Sequence, residues 1–361
     1  MVADRTGGVR CMLMRGGTSK GAYFLRDDIP VDPAARDDLV LRIVGSPDPR
    51  QIDGIGGAHP LTTKVAVVGP SGNPRADVDY LFLQPSIDEA RVSDAQNCGN
   101  LLAGVGPFAV ERGLVDASGD STTVRIAMLN TGSIAHSTFA LDADGRPRYD
   151  GDQRISGVPG TASPIRLDFE DVAGSTCGAL LPSGSAVDLV EGVECTLVDC
   201  GMPVVVLRAA DVGVRGDESC AQLDGDTDCK ARIEEIRIAA AAKMGLGDAR
   251  ASTVPKVTLV APPRDGGTLA TRTFIPHQCH DAIGVLGGIS VAVAAMLPGT
   301  PAAEVAAPVV AGVVALAHPT GTFDAVVELD VAGPEVAVER VGILRTARKL
   351  MDGIVYPRGD A

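Results

Sequence analysis

Gln96-Asn97-Cys98-Gly99-Asn100 runs directly into Leu101-Leu-Ala-Gly-Val-Gly-Pro-Phe-Ala-Val-Glu111, a polar cluster around a cysteine followed by an apolar segment of small residues. Gly and Ala let neighbours pack closely, so the segment predicts a buried helix, with Gly113 as the left-handed residue that closes it. The design occurs a second time. His277-Gln278-Cys279-His280 precedes Asp281 to Leu297, again rich in Gly, Ala and Val. Strand-like stretches surround each segment, which predicts an α+β chain of two similar lobes, each with several strands and one buried helix. Two such lobes facing each other bring both helix N-termini to one cleft, an arrangement suited to an anion with carboxylates at both ends.

Working outward, Val9 to Met14 reads as a strand entering the turn Arg15-Gly-Gly-Thr-Ser-Lys-Gly21, and Pro33 to Val44 as a surface helix. Thr62 to Val68 is apolar and β-branched around one lysine, and Asp77 to Gln84 alternates as a second strand. Further strands are expected at Thr122 to Leu129, Ile134 to Leu141, Glu194 to Asp199, Pro203 to Leu207, Lys256 to Val260 and Thr271 to Ile275. Asp228 to Met244 has the apolar spacing of an amphipathic helix. His318-Pro-Thr-Gly321 suits a hairpin turn, and the small, polar run Gly178 to Asp188 suits a crossover between lobes.

A formal net charge of −14 argues against nucleic acid and against an anionic membrane surface as partners. It also means that an anionic substrate needs local positive potential from Lys, Arg and helix N-termini. The stretch Gly284 to Leu297 falls short of the roughly 18–20 residues of a membrane span, so a buried helix is expected there. The start, Met1-Val-Ala-Asp-Arg-Thr-Gly-Gly8, lacks the basic-then-apolar layout of a signal peptide, and a cytoplasmic location is expected. With no C-x-x-C and no export signal, the eight cysteines are expected as free thiols.

Cys98, flanked by Asn97 and Gly99 at a helix start, stands where the helix dipole favours thiolate, and the N–H groups of Gly99 and Asn100 could hold a carboxylate. The competing reading is a small buried thiol that simply fits. Lys64 interrupts an apolar strand, where burial of an ammonium is costly and desolvation would favour a usable general base. Its competing reading is an edge strand with the lysine in water. Gly17, Ser19 and Gly21 form a G-x-S-x-G match, but Ala22 to Leu25 is followed by Asp27-Asp-Ile-Pro30 rather than by the long helix of a nucleophile elbow. A serine hydrolase built on Ser19 is thus a remote alternative, whereas a loop of hydroxyls and N–H groups that holds an anion is attractive. Cys279 and its two flanking histidines lack partner ligands for zinc, since Cys220 and Cys229 stand apart in a polar stretch. Asp53-Gly-Ile-Gly-Gly57 does not have the spacing of a dinucleotide loop.

Met14-Arg-Gly-Gly-Thr-Ser-Lys-Gly-Ala-Tyr-Phe24, Asp53 to Gly57, Lys64 within Leu61-Thr-Thr-Lys-Val65, Gln96 to Asn100 and Asn130-Thr-Gly132 together resemble the PrpF-like isomerases. Asp199-Cys-Gly-Met-Pro-Val204 and His318 to Gly321 extend the resemblance over nearly the whole chain. It implies a diaminopimelate epimerase-like fold, in which each lobe is a curved, mostly antiparallel sheet wrapped round a central helix. The lobes would be 1–182, completed by a C-terminal strand near 345–361, and 183–344, with the active site between them. The stretches Gln51 to Gly57, Gly99 to Gly113, Gly178 to Leu181 and Thr273 to Val285 look most like the branch that acts on oxalomesaconate in gallate breakdown.

By resemblance, the reaction is a proton shift in an unsaturated keto-polycarboxylate, either keto–enol tautomerisation or movement of the double bond, without cofactor or metal. The family's lysine and cysteine map onto Lys64 and Cys98 as the acid/base pair. Arg15, Gly17, Thr18, Ser19, Asn97, Gly99, Asn100, Asn130, Arg272, His280 and His318 are the expected substrate-binding residues. Diaminopimelate epimerases use one cysteine per lobe. Here Cys279 lacks the Cys-Gly-Ser/Thr pattern, which favours Lys64 with Cys98 over two thiols. The implied partner is a small di- or tricarboxylate, with a homodimer admitted.

Overall fold

A computed structural model describes residues 7–95, 97–263, 267–333 and 336–359, so Gln96 lies outside the described residues. The chain forms two compact units, one running to Asp168 and resuming at Leu344, the other Phe169–Ile343.

The first unit begins with β1 (Val9–Gly16) and β2 (Ser19–Leu25), a hairpin turning on Gly17 and Thr18. Helix α1 (Pro33–Val44) is capped by Asp32, whose carboxylate accepts from Ala35 N at 2.9 Å, and has Pro33 in its first turn. Then come β3 (Lys64–Pro70), β4 (Val78–Pro85), the short β5 (Val92–Ser93), α2 (Gly99–Glu111), β6 (Ser121–Met128), β7 (Ser133–Ala140) and β8 (Pro164–Phe169). The sheet order is β1-β2-β3-β4-β6-β7-β8.

Alternation along these strands sorts two apolar layers. Ala22, Phe24, Val65, Val67 and Leu83 pack with Val40, Ile43 and Val44 of α1. The other face wraps α2, which lies against β1, β2, β3, β4, β6 and β7 and is buried from Leu101 to Ala109. The hairpin comes so close to the start of α2 that a Cβ on Gly16 would sit 2.4 Å from Asn100 O. One on Gly17, which has φ +52°, would sit 2.2 Å from Asn100 Oδ1.

The second unit contains β9 (Asp188–Val190), β10 (Val193–Asp199), β11 (Pro203–Arg208), α3 (Cys220–Gly225), α4 (Thr227–Lys243), β12 (Lys256–Ala261) and β13 (Leu269–Phe274). It continues with α5 (Val285–Met296), α6 (Pro301–Val305), β14 (Val313–His318), β15 (Gly321–Asp330) and the first part of β16 (Ala337–Val355). The order is β15-β14-β13-β12-β11-β10-β9. One face packs on Ile233, Ile236 and Ala240 of α4, and α5 lies against β10, β11, β14 and β15. The later part of β16 belongs to the first unit, where Ala347 to Val355 pairs with β1. Each unit is thus a mostly antiparallel sheet around one central helix, a diaminopimelate epimerase-like fold.

Three expectations shift. The first unit ends at Asp168 rather than at 182, because the turns after 169 are fastened within the second unit, where Asp199 Oδ2 accepts from Thr176 N and Cys177 N at 2.7 Å each. The second buried helix starts at Val285, not Asp281, because 281–284 is held as a turn: Ala282 N donates to His280 Nδ1, and Thr320 Oγ1 to Asp281 O. The polar stretch around Cys220 and Cys229 is helical, opened by a capping box between Ser219 and Gln222.

Candidate active site

Strand β4 organises the site. Its residues Tyr80, Phe82 and Gln84 alternate onto the face that carries α2, while Leu83 joins the α1 layer. Pairing of Val65 with Leu83 and of Ala66 with Phe82 sets the register with β3, so Lys64 stands opposite Gln84 and diagonal to Phe82.

Lys64 is 8% exposed, and β3 lies between β2 and β4, which removes the reading of a lysine in water on an edge strand. Its Nζ donates to Gln84 Oε1 at 2.7 Å and lies 5.0 Å from the centre of the Phe82 ring. Phe82 is held in turn by Asn130, whose Oδ1 accepts from Phe82 N and whose Nδ2 donates to Phe82 O, both at 2.9 Å, and to Asp94 O at 2.7 Å. Asn130 therefore acts here on the backbone under the lysine.

Cys98 is the half-buried N-cap residue of α2. Its backbone is extended, and its side chain makes no capping bond. The carbonyl accepts from Leu102 N at 3.0 Å and from the Tyr80 hydroxyl at 3.3 Å, and the Tyr23 hydroxyl donates to Leu101 O at 2.6 Å. Burial, with the neighbouring Cys98 adding to it, holds both phenols well above the ordinary tyrosine range. They are donors, not bases. The first N–H groups of α2, from Gly99 onward, have no partner within the helix, and this end favours an anion.

The hairpin turn completes this surface. Asn100 Nδ2 donates to the exposed Thr18 Oγ1 at 3.1 Å. Arg15 donates to Gly17 O at 2.9 Å, and to Thr346 O and Oγ1, and burial followed by repulsion from Arg348 lowers its pKa. Asn97 Nδ2 donates to Thr131 Oγ1 at 2.5 Å. Among the described residues, Asn97 Oδ1 and Ser19 Oγ are buried without a hydrogen-bond partner, which leaves two polar atoms beside this loop unsatisfied. Ser19 opens a strand, not a helix, so the elbow of a serine hydrolase is absent.

The remaining expected residues lie in the second unit. Arg272 on β13 is 9% exposed and commits its guanidinium to Glu218 O at 2.5 Å and Thr271 O at 2.8 Å. His280 bonds the Ala282 backbone, and Thr320 joins His318 to Asp281 O. Cys279 is buried with its N–H on Asp224, and its thiol is within hydrogen-bonding reach of Cys220. Burial and that contact push the Cys279 thiol up. Among the described residues no three His, Cys, Asp or Glu side chains gather as a metal site requires.

Comparison with known proteins supplies the family. The model for "PrpF protein" matches residues 8–358. The chain belongs to the PrpF family. It is 59% identical to the (4E)-oxalomesaconate Delta-isomerase of Novosphingobium sp. (strain KA1), over 96% of each chain. It is 53% identical to the 4-oxalomesaconate tautomerase of Pseudomonas putida, over 96% of this chain and 95% of that one. The crystal structure of a methylitaconate-delta-isomerase superposes with a TM-score of 0.87 at 36% identity, covering 98% of both chains. This PrpF-family chain is an isomerase with the diaminopimelate epimerase-like fold. No helix among its described residues is long and apolar enough to cross a membrane.

Three residues of the site were not visible in the sequence of this PrpF member. Tyr80, Phe82 and Gln84 look like any half-alternating strand. Only the pairing with β3 and the position of α2 turn them into supports for Lys64 and Cys98.

Proposed function

We propose that this isomerase shifts a proton within an unsaturated keto-polycarboxylate, with 4-oxalomesaconate as substrate and Lys64 and Cys98 as the acid/base pair. The observation that carries the reading is that one face of β4 serves both residues: Phe82 and Gln84 hold the Lys64 amino group, and Tyr80 holds the Cys98 carbonyl. A lysine that buried and a half-exposed thiol at a helix N-terminus, both supported from one face of one strand, suit an acid/base pair with an anion site at the helix end.

A carbon acid beside a keto group and a conjugated alkene gives a dienolate when its proton leaves. In this scheme the Lys64 amine takes the C–H proton, and the carboxylates rest on the N–H groups of Gly99 and Asn100 with Thr18 and Ser19 alongside. The Cys98 thiol then gives a proton to the dienolate. The ammonium and thiolate reset by exchanging that proton through solvent, so no electron carrier is needed. Positive potential from Arg15 and from the N-terminus of α2 offsets the repulsion of the chain's net −14 charge for an anion.

The two relatives quoted above favour two outcomes that differ only in where the proton returns. Return to the carbonyl oxygen gives tautomerisation, and return to the distal carbon moves the double bond. Freshly prepared 4-oxalomesaconate in D2O, followed by ultraviolet absorbance and NMR, separates them. Accelerated keto–enol interconversion without alkene movement supports the tautomerase. Deuterium at the distal carbon with a transposed alkene supports the Delta-isomerase. A spectrum that changes no faster than the enzyme-free control removes both. A small dissolved substrate also suits a cytoplasmic enzyme.

A further inference from the structure

We propose that Gln84 is a positioning residue for Lys64, a neutral acceptor that aims the lysine nitrogen without pairing it with a negative charge. The inference rests on the reading of Lys64 as half of the acid/base pair.

The orientation of the Gln84 amide follows from its partners. Nε2 donates to Thr63 O at 2.8 Å, and more distantly to Pro85 O at 3.3 Å and Pro60 O at 3.4 Å. Three carbonyls around one amide nitrogen leave Oε1 as the atom that faces Lys64, at 2.7 Å. A flipped amide would set its N–H groups against the ammonium and its oxygen against carbonyls. The side chain is thus locked at both ends, and so is the direction in which Nζ can point.

The charged groups nearby make the neutrality meaningful. Helix α1 covers the opposite face of β3, at Val65 and Val67, and the other elements packed against β3 are β2, β4, α2 and the turn Arg26–Asp28. They bring the titratable or charged side chains of Lys20, Tyr23, Arg26, Asp27, Asp28, Asp79, Tyr80, Cys98 and Glu111. Asp79 is paired with Arg26, Asp28 with Arg10 and Glu111 with Lys349, and both phenols stay protonated. Among the described residues, no carboxylate forms an ion pair with Lys64. A lysine that must give up and regain a proton in each cycle benefits from an acceptor that orients it but does not clamp its charged form.

The test compares Gln84→Met, which keeps the length and removes the acceptor, with Gln84→Glu, which keeps an acceptor and adds charge, and with Lys64→Ala. Thermal unfolding monitors the fold of each. Gln84→Met should lower kcat by about tenfold to a hundredfold, as misdirection of a reacting group does, with a smaller change in KM. Gln84→Glu should regain activity as pH rises, its low-pH limb of kcat displaced upward from wild type. A kcat for Gln84→Met within twofold of wild type, with Lys64→Ala inactive, overturns the proposal. So does a loss in both Gln84 variants with an unmoved pH profile, which would mark a purely structural role. Normal turnover by Lys64→Ala removes the underlying reading, and the proposal with it.

Discussion

The Tyr80 hydroxyl donates to the carbonyl oxygen of Cys98 across 3.3 Å, tying strand β4 to the N-cap residue of the central helix. Tyr80 is completely buried, and its phenol is held well above the ordinary range, so it remains a donor at all working pH values. Tyr80→Phe removes this one bond and leaves Leu102 N as the donor to that carbonyl. The expected cost is about 1 kcal/mol of stability, the net value of one such hydrogen bond. A loss of kcat of up to about tenfold should accompany it if the helix end shifts. The pH profile should not move, since the phenol does not titrate. Chemical denaturation with pH-dependent kinetics checks both parts, and a displaced alkaline limb would contradict the donor role.

Lys64→Ala and Cys98→Ala test the acid/base pair itself. Each should lower kcat by about 10²-fold or more, the usual contribution of a positioned proton-transfer group. Cys98 makes no side-chain cap bond, so its replacement by Ala should leave α2 intact. Circular dichroism and substrate turnover together decide. Near-normal turnover in both variants would remove the pair from the mechanism.

Thiol labelling distinguishes Cys98 from the cysteines that only fill space. Burial pushes the thiols of Cys11, Cys195 and Cys200 up to about 12, and each is fully buried, so neither access nor thiolate is available near neutrality. Cys98 is half-exposed at a helix N-terminus. Brief treatment with iodoacetamide should therefore inactivate the enzyme, with peptide mass spectrometry finding the adduct at Cys98 and none at those three. Inactivation with Cys98 unmodified would sink this assignment.

Local signals were legible in the sequence where a residue broke or punctuated a pattern. Pro33 to Val44 was readable to its ends because its cap, first-turn proline and terminal glycine are all local. Lys64 stood out as a charge within an apolar strand, and Cys98 as a polar break before an apolar helix. What was not legible depends on partners distant in the chain. Asn130 looks like a turn residue that could greet a ligand, yet its amide bonds the Phe82 backbone 48 residues away. Gln84 and Tyr80 gain their meaning only from register and from the packing of α2. The start of α5 is hidden in the sequence for the same reason, because Thr320 holds the Asp281 carbonyl outside the helix.

Acid stability offers a test of how β4 is anchored to its neighbour. Asp77, just before β4, accepts from Arg125 on β6 through Nε at 3.2 Å, through Nη2 at 2.6 Å and through the backbone N–H at 2.8 Å. The hydrogen bond from the Arg125 side chain is the main reason that the Asp77 pKa lies below its ordinary value. Protons then bind more tightly to the unfolded chain, whose aspartate titrates at about 3.9. The stabilisation is therefore complete above that value and is lost as pH falls through the lower, folded value. Asp77→Asn should be less stable than wild type at neutral pH, and the gap between the two should close as the medium is acidified through this window. Urea denaturation of both proteins across the range measures it, and a gap that stays constant with pH would show that Asp77 acts by packing rather than by charge.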